Sequence, residues 1–202
     1  MKKSLLLCTA AAVLFSFSAR AGEMKPYASV KAVYSWEKAK TDDGQESGSE
    51  TFKAPGLNVA VGVNLKNGIR LEGEYGYRAL KSKTDASGGI IGKEKFGIQT
   101  YMLNGYYDFA TGTKVKPYIG AGLGLADVKL KYQDPDDLIS ISKTKFAWNL
   151  NAGIGMEVSK NMVIDLGYRY LQVEDFKKDF GVGSLKFKTH ANEVSLGVRY
   201  HF

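Results

Sequence analysis

A chain of 202 residues with 44% hydrophobic and 24% charged content has enough apolar mass for a folded core and too much for a disordered chain, and its length points to one domain. A mean hydropathy of −0.22 excludes a bundle of membrane helices, each of which needs about 20 consecutive apolar residues. The 23 glycines and 12 tyrosines beside 4 prolines suit many strands and turns, and the formal charge of +7 has to be read after the N-terminus is assigned.

Lys2 and Lys3, the apolar run from Leu5 to Phe17 and the stretch Ala19-Arg20-Ala21 follow the order of a secretory signal. Cleavage is expected between Ala21 and Gly22, which divides the chain into a removed segment 1–21 and a mature domain 22–202. Loss of Lys2, Lys3 and Arg20 lowers the charge from +7 to +4, and with it most of the motive for a nucleic-acid partner. The single cysteine, Cys8, lies in the removed segment, and Leu7 before it argues against lipid attachment. The mature domain therefore has no disulfide.

From Tyr27 onward the period is two, the strand period. The first alternating segment sets Ala28, Val30, Ala32, Tyr34 and Trp36 against Ser29, Lys31 and Ser35. The second sets Leu57, Val59, Val61, Val63 and Leu65 against Asn58, Ala60, Gly62 and Asn64. Lys66-Asn67-Gly68 then signals a tight hairpin. In the third, Ile69, Leu71, Tyr75 and Tyr77 oppose Arg70, Glu72, Glu74 and Arg78. The fourth changes phase: Phe96 and Ile98 share one face, while Tyr101, Leu103, Tyr107 and Phe109 hold the other, so a bulge is expected near Gln99-Thr100.

The fifth segment carries Val115, Pro117, Ile119, Ala121, Leu123 and Leu125 opposite Gly120, Gly122, Gly124 and Ala126. The sixth runs from Phe146, Trp148, Leu150, Ala152, Ile154 and Met156 to Val158, with Asn149, Asn151, Gly153, Gly155 and Glu157 between them. The seventh opposes Ile164, Leu166, Tyr168 and Tyr170 to Asp165 and Arg169, and the eighth, Val194, Leu196, Val198, Tyr200 and Phe202, reaches the last residue. Connections 37–56, 80–95, 129–145 and 172–189 read as long polar loops. Those at 66–68, 110–114 and 159–161 read as short turns. Eight strands with long loops at one end and short turns at the other predict an all-β fold, an antiparallel up-and-down transmembrane β-barrel with four extracellular loops.

On that topology Tyr34, Trp36, Tyr75, Tyr77, Phe96, Phe146, Trp148, Tyr168 and Tyr170 form a girdle at the long-loop end, and Tyr107, Phe109, Tyr200 and Phe202 form one at the short-turn end. The polar face balances six cations, Lys31, Arg70, Arg78, Lys116, Arg169 and Arg199, against six anions, Glu72, Glu74, Asp108, Glu157, Asp165 and Glu193. An interior ionic network is expected, in which Glu72 and Glu74 serve Arg70 and Arg78.

The segments Pro117-Tyr118-Ile119-Gly120-Ala121-Gly122-Leu123-Gly124, Phe146-Ala147-Trp148, Gly167-Tyr168-Arg169-Tyr170-Leu171 and Glu193 through Phe202 carry a further reading. They resemble the opacity-like outer-membrane β-barrel proteins, which include surface antigens of alphaproteobacteria. The resemblance spans 22–202 and implies the outer membrane of a Gram-negative bacterium, with membrane lipid and lipopolysaccharide as surroundings. The terminal series Val194, Leu196, Val198, Tyr200 and Phe202 resembles the signal read by the barrel-assembly machinery.

Other chemistry finds little support. Gly120 to Gly124 has glycines too closely spaced for a dinucleotide loop, and small lumenal residues that make room for Tyr106 and Tyr118 explain it better. His190, with Ser184 and Asp179, could form the base and nucleophile of a lipid A acyl hydrolase or transferase; His201 is expected at the periplasmic rim. Asp134, Asp136 and Asp137, or Asp42, Asp43 and Glu46, lack calcium-loop spacing, and Lys129, Lys131, Lys143 and Lys145 could meet lipopolysaccharide phosphates. The expectation is a non-enzymatic surface protein without cofactor or metal, acting in envelope integrity or through an unidentified host or surface ligand. The alternatives are the lipid A enzyme and a narrow ion-conducting pore.

Overall fold

The computed structural model describes residues 24–42, 47–80, 95–133, 138–179 and 184–202. Strands β1 (Lys25–Asp42), β2 (Ser47–Asn64), β3 (Ile69–Leu80), β4 (Lys95–Asp108), β5 (Val115–Gln133), β6 (Leu138–Glu157), β7 (Met162–Asp179) and β8 (Ser184–His201) pair in chain order, every pair antiparallel. β8 closes on β1, so the closure itself leaves no strand edge to recruit another chain. No helix of the described residues is long and apolar enough to cross a membrane. The crossing is made by strands.

Short turns close one end as their sequences require. Asn67 (φ 63°) and Gly68 (φ 80°) both lie in the left-handed region that Asn and Gly tolerate, and a Cβ on Gly68 would collide with the Asp108 carbonyl. In the second turn Thr111 Oγ1 donates to the Val115 carbonyl at 2.6 Å, and in the third Val158 N donates to the Met162 carbonyl at 3.0 Å.

The outward positions read from the alternation are the exposed ones: Leu103, Leu123 and Leu196 are 68%, 60% and 59% exposed, whereas Glu72, Arg78 and Asn104 are almost wholly buried. A surface apolar in this way suits hydrocarbon, not water. The girdle aromatics pack edge-on in pairs at both ends: Tyr34 with Trp36 at 4.9 Å, Tyr107 with Phe109 at 5.0 Å and Tyr200 with Phe202 at 5.5 Å.

Two expectations are corrected. First, β4 has no bulge at Gln99-Thr100: its ladders to β3 and β5 run unbroken, and Ile98, Thr100, Met102, Asn104 and Tyr106 all face the lumen. Ile98 is a lumenal residue; the side chain of Phe96, assigned to the girdle, lies outside the described residues. The irregular register is in β7, where Val173 to Phe176 spans three residues against two from Thr189 to Phe187.

Second, three of the four long connections are largely strand. β1 and β2 pair as far as Asp42 and Ser47, β5 and β6 as far as Gln133 and Leu138, and β7 and β8 as far as Asp179 and Ser184. These hairpins escape a pattern search tuned to lipid because their environment reverses. Beyond the girdle the unbroken ladders put Val128, Leu130, Ile139 and Ile141 at lumenal register positions and Lys129, Lys131, Ser140 and Ser142 at outward ones. Along β5 and β6 the apolar register phase thus passes from outward at Leu125 and Phe146 to lumenal at Leu130 and Ile141.

Candidate functional site

The lumen holds one continuous chain of opposite charges. Asp165 binds Arg199 at 2.8 Å; Arg199 approaches Asp108 at 3.6 Å; Arg70 binds Asp108 at 3.0 Å and approaches Glu72 at 3.5 Å. Lys31 lies between Glu72 (2.9 Å) and Glu74 (3.2 Å), Arg169 between Glu74 (2.7 Å) and Glu193 (3.7 Å), and Arg78 grips Glu193 with both Nε and Nη2. Signs alternate from Asp165 to Arg78, so each charge inside the chain has opposite charges as its nearest partners. That arrangement offsets the cost of removing the charges from water.

The ten residues belong to β1, β3, β4, β7 and β8, and their contacts cross the lumen. Arg169 to Glu74 joins β7 to β3, and Arg199 to Asp108 joins β8 to β4, so two braces run between opposite walls. The expected pairing of Arg78 with Glu74 does not form, because Arg78 reaches across to Glu193 on β8. Arg70 does contact Glu72, but its bidentate partner is Asp108. Lys116 and Glu157 form a separate pair at the short-turn rim, with side chains 43% and 42% exposed.

Neutral groups complete the network, and alternation alone gave no reason to single them out. Tyr27 and Tyr106 donate to Glu72 at 2.8 and 3.3 Å, Asn58 donates to Glu74 at 3.2 Å, and Arg78 donates to Thr100 at 3.0 Å. Arg70 lies 4.1 Å over the Tyr106 ring. Asn149 donates to Asn104, and Asn151 accepts from Arg169. The glycines face these groups: a Cβ at Gly167 would come 2.7 Å from the Tyr118 hydroxyl, and one at Gly120 would strike the Tyr106 ring. Gly120 to Gly124 is thus packing space for side chains, with no helix beside it.

Toward the long-loop end the lumen turns apolar, with Met102, Ala126, Ala147, Leu171, Val173 and Ala191 in one buried cluster. A vestibule of about 240 Å³ opens at the short-turn mouth, lined by Asn64, Asp108, Lys116, Glu157, Arg199 and His201 among others. A second void of about 10 Å³, beside Lys31, Asn58 and Ser195, has room for about one water. With ions paired below and apolar side chains above, planar-bilayer recordings are expected to show no wide, steady channel. Large stable conductance with uptake of sugar-sized solutes is the contrary result.

His190 lies at an outward register position and stacks on Tyr170 with ring centroids 5.9 Å apart. Ser184 and Asp179 are register partners at the far end of the hairpin, and six strand residues put Ser184 about 20 Å from His190, too far for a base and its nucleophile. His201 faces the vestibule, with Nδ1 3.4 Å from the Asn64 amide. Among the described residues no group of His, Cys, Asp and Glu is placed to hold a metal ion. Asp134, Asp136, Asp137, Asp43, Glu46, Ala21 and Gly22 lie outside the described residues, as does the side chain of Asp42. Val194, Leu196, Val198, Tyr200 and Phe202 form an outward, exposed series.

Comparison with known proteins adds independent findings. The outer membrane protein beta-barrel domain matches residues 7–202. Outer membrane protein PagN of Salmonella typhimurium is 32% identical over 176 residues, covering 73% of this chain and 72% of PagN. Opacity protein opA60 of Neisseria gonorrhoeae is 26% identical, covering 72% of this chain and 67% of its own. The 25 kDa outer-membrane immunogenic protein of Brucella canis is also 26% identical, covering 84% and 74%. Neisserial surface protein A superposes with a TM-score of 0.61 at 22% identity, covering 88% of this chain and 97% of that one.

Proposed function

The chain belongs to the outer membrane protein beta-barrel domain family, and from that premise we propose that it is a non-enzymatic surface protein whose working parts are the outer hairpins. The observation that carries this reading is the filled lumen. Paired charges from Asp165 to Arg78 and the apolar cluster around Met102 occupy the interior, which leaves the outer wall and hairpins as the surface open to partners. The fold that carries them is an outer-membrane barrel, and relatives named opacity and immunogenic proteins fit display at the cell surface. On the same reading residues 1–21 direct export and are removed after Ala21, and the hairpin tips contact other cells or their surfaces.

Epitope tags test the display directly. Tags at Gly48, Gly88 and Gly183 are expected to be labelled on intact cells without loss of the folded, heat-modifiable form, because insertions at or beside the connections β1 to β2, β3 to β4 and β7 to β8 leave the braced lumen in place. A tag in the turn Lys66-Asn67-Gly68 is expected to stay hidden until the outer membrane is opened. Labelling of that tag on intact cells inverts the topology and removes the hairpins as a contact surface.

A further inference from the structure

In the lipid-facing wall each strand is paired on both sides, but one seam above the girdle is open. The ladder between β6 and β7 stops at Ala147 and Val173. Both strands continue beyond it: Leu138 to Phe146 stay paired with β5, and Phe176 to Asp179 with β8. Among the described residues no rung joins 138–146 to 174–179.

The bulge accounts for the seam. It runs from Val173 to Phe176, on the rung where the ladder ends, and an extra residue bends its strand and interrupts pairing. At the same place Gln172 Nε2 donates to the Val173 carbonyl at 3.1 Å. Trp148 and Tyr170 of the girdle lie one and three residues below that rung, so the seam opens where the wall leaves the membrane. Inside hydrocarbon an open edge would strand main-chain polar groups without partners, which a bilayer does not tolerate.

Hydrogen bonds along β6 alternate between its two neighbours. Glu157 N donates to the Lys114 carbonyl on the β5 side at 2.9 Å, and Val158 N donates to the Met162 carbonyl on the β7 side at 3.0 Å. The register to β5 is unbroken, so the residues in phase with Val158, namely Leu138, Ser140, Ser142 and Thr144, turn their main-chain N–H and C=O into the seam. This stretch contains no proline, glycine or bulge to blunt the edge. Water satisfies such groups one at a time; an extended peptide satisfies the whole row at once.

We propose that the main-chain edge of β6 from Leu138 to Thr144 is a docking site for an extended peptide segment of a partner protein, which adds to the sheet as an antiparallel strand on the side that β7 leaves. The arrival of that partner from outside rests on the surface-display reading, which the epitope tags test on cells; binding to the purified protein tests the edge alone.

The probe is an acetylated heptapeptide of alternating Thr and Val whose valine amides are N-methylated, so that one edge keeps its donors and the other cannot self-associate. Its unmethylated threonines pair with the seam-facing residues, and its valines fall beside the lumenal register positions of Ile139 and Ile141. In the free protein in phosphatidylcholine nanodiscs, the amides of Ser140 and Ser142 are expected to exchange at least about tenfold faster than that of Ile141, which donates toward β5. Added peptide is expected to slow Ser140 and Ser142 and leave Ile141 unchanged. Ser142→Pro removes a donor from the edge and none from the β5 ladder. It is expected to keep heat-modifiable migration and to weaken binding at least about fivefold, the worth of one main-chain hydrogen bond, whereas Ser142→Ala keeps the N–H and changes binding less than about twofold. Peptide methylated at every amide is expected not to bind. Equal exchange of Ser140, Ser142 and Ile141 in the free protein overturns the proposal, because the edge is then already covered. So does binding that survives methylation of every amide, or that Ser142→Ala and Ser142→Pro weaken alike. Protection of Ser140 and Ser142 that rises with protein concentration in the absence of peptide also overturns it and reassigns the edge to a second copy of this chain.

Discussion

Removal of Phe202, or its replacement by Asp, is expected to cut the folded protein in the outer membrane at least severalfold and to leave aggregates in the periplasm. The structure separates two contributions to that loss. Phe202 donates its backbone N–H to the Pro26 carbonyl at 3.0 Å, in the last rung that ties β8 to β1. Its ring is 62% exposed and packs edge-on against Tyr200 in the short-turn girdle. An exposed rung and one interfacial ring are worth about 1–3 kcal/mol together, too little to unfold a barrel closed along the whole of β1 and β8. A large loss in cells therefore requires recognition of the terminal series Val194, Leu196, Val198, Tyr200 and Phe202 during assembly. Refolding of the purified variant into lipid vesicles is the deciding measurement. Near-native stability in vitro with depletion in vivo supports an assembly signal, and Phe202→Tyr should restore levels because it keeps the outward ring. Undiminished amounts of Phe202→Asp in the outer membrane would falsify the assignment.

The parts of this molecule that were legible in its sequence are those where one environment governs a whole strand. From Ile69 to Tyr77 every outward residue meets lipid and every lumenal one meets the ionic interior, so alternation alone places Arg70, Glu72 and Glu74 inside. β4 misled because it crosses an environmental boundary. Ile98 is apolar and lumenal, Tyr101 is aromatic and outward, and a reader who assumes that apolar means outward must invent a bulge between them. The outer hairpins were lost for the same reason, and the real bulge, at Val173 to Phe176, sits there. Alternation also says which charges face inward without saying which meet. Arg78 is four residues from Glu74, yet its partner is Glu193, 115 residues away, because the lumen is narrow enough for a side chain of β3 to reach β8.

That cross-lumen contact carries the second large effect, a loss of about 3–5 kcal/mol on replacing Arg78 with Met. The Arg78 side chain is fully buried and holds Glu193 through two nitrogens, while Glu193 is itself 2% exposed at its side chain. Without Arg78 the cation left near the carboxylate among the described ion pairs is Arg169, at 3.7 Å, and Arg169 is already committed to Glu74 at 2.7 Å. Thr100 loses its donor as well. The penalty comes mainly from the carboxylate left behind, so the double variant Arg78→Met/Glu193→Leu should be more stable than Arg78→Met alone. A double-mutant cycle by urea unfolding in detergent micelles or thin bilayers measures the coupling. Lys116→Gln serves as the contrast: its partner Glu157 is 42% exposed and water can take the place of the ammonium, so the change should cost less than about 1 kcal/mol. If Arg78→Met and Lys116→Gln cost the same, the alternating chain is not what holds the opposite walls together. If the double variant is less stable than Arg78→Met, Glu193 draws its stability from Arg169 and the chain is centred on β7.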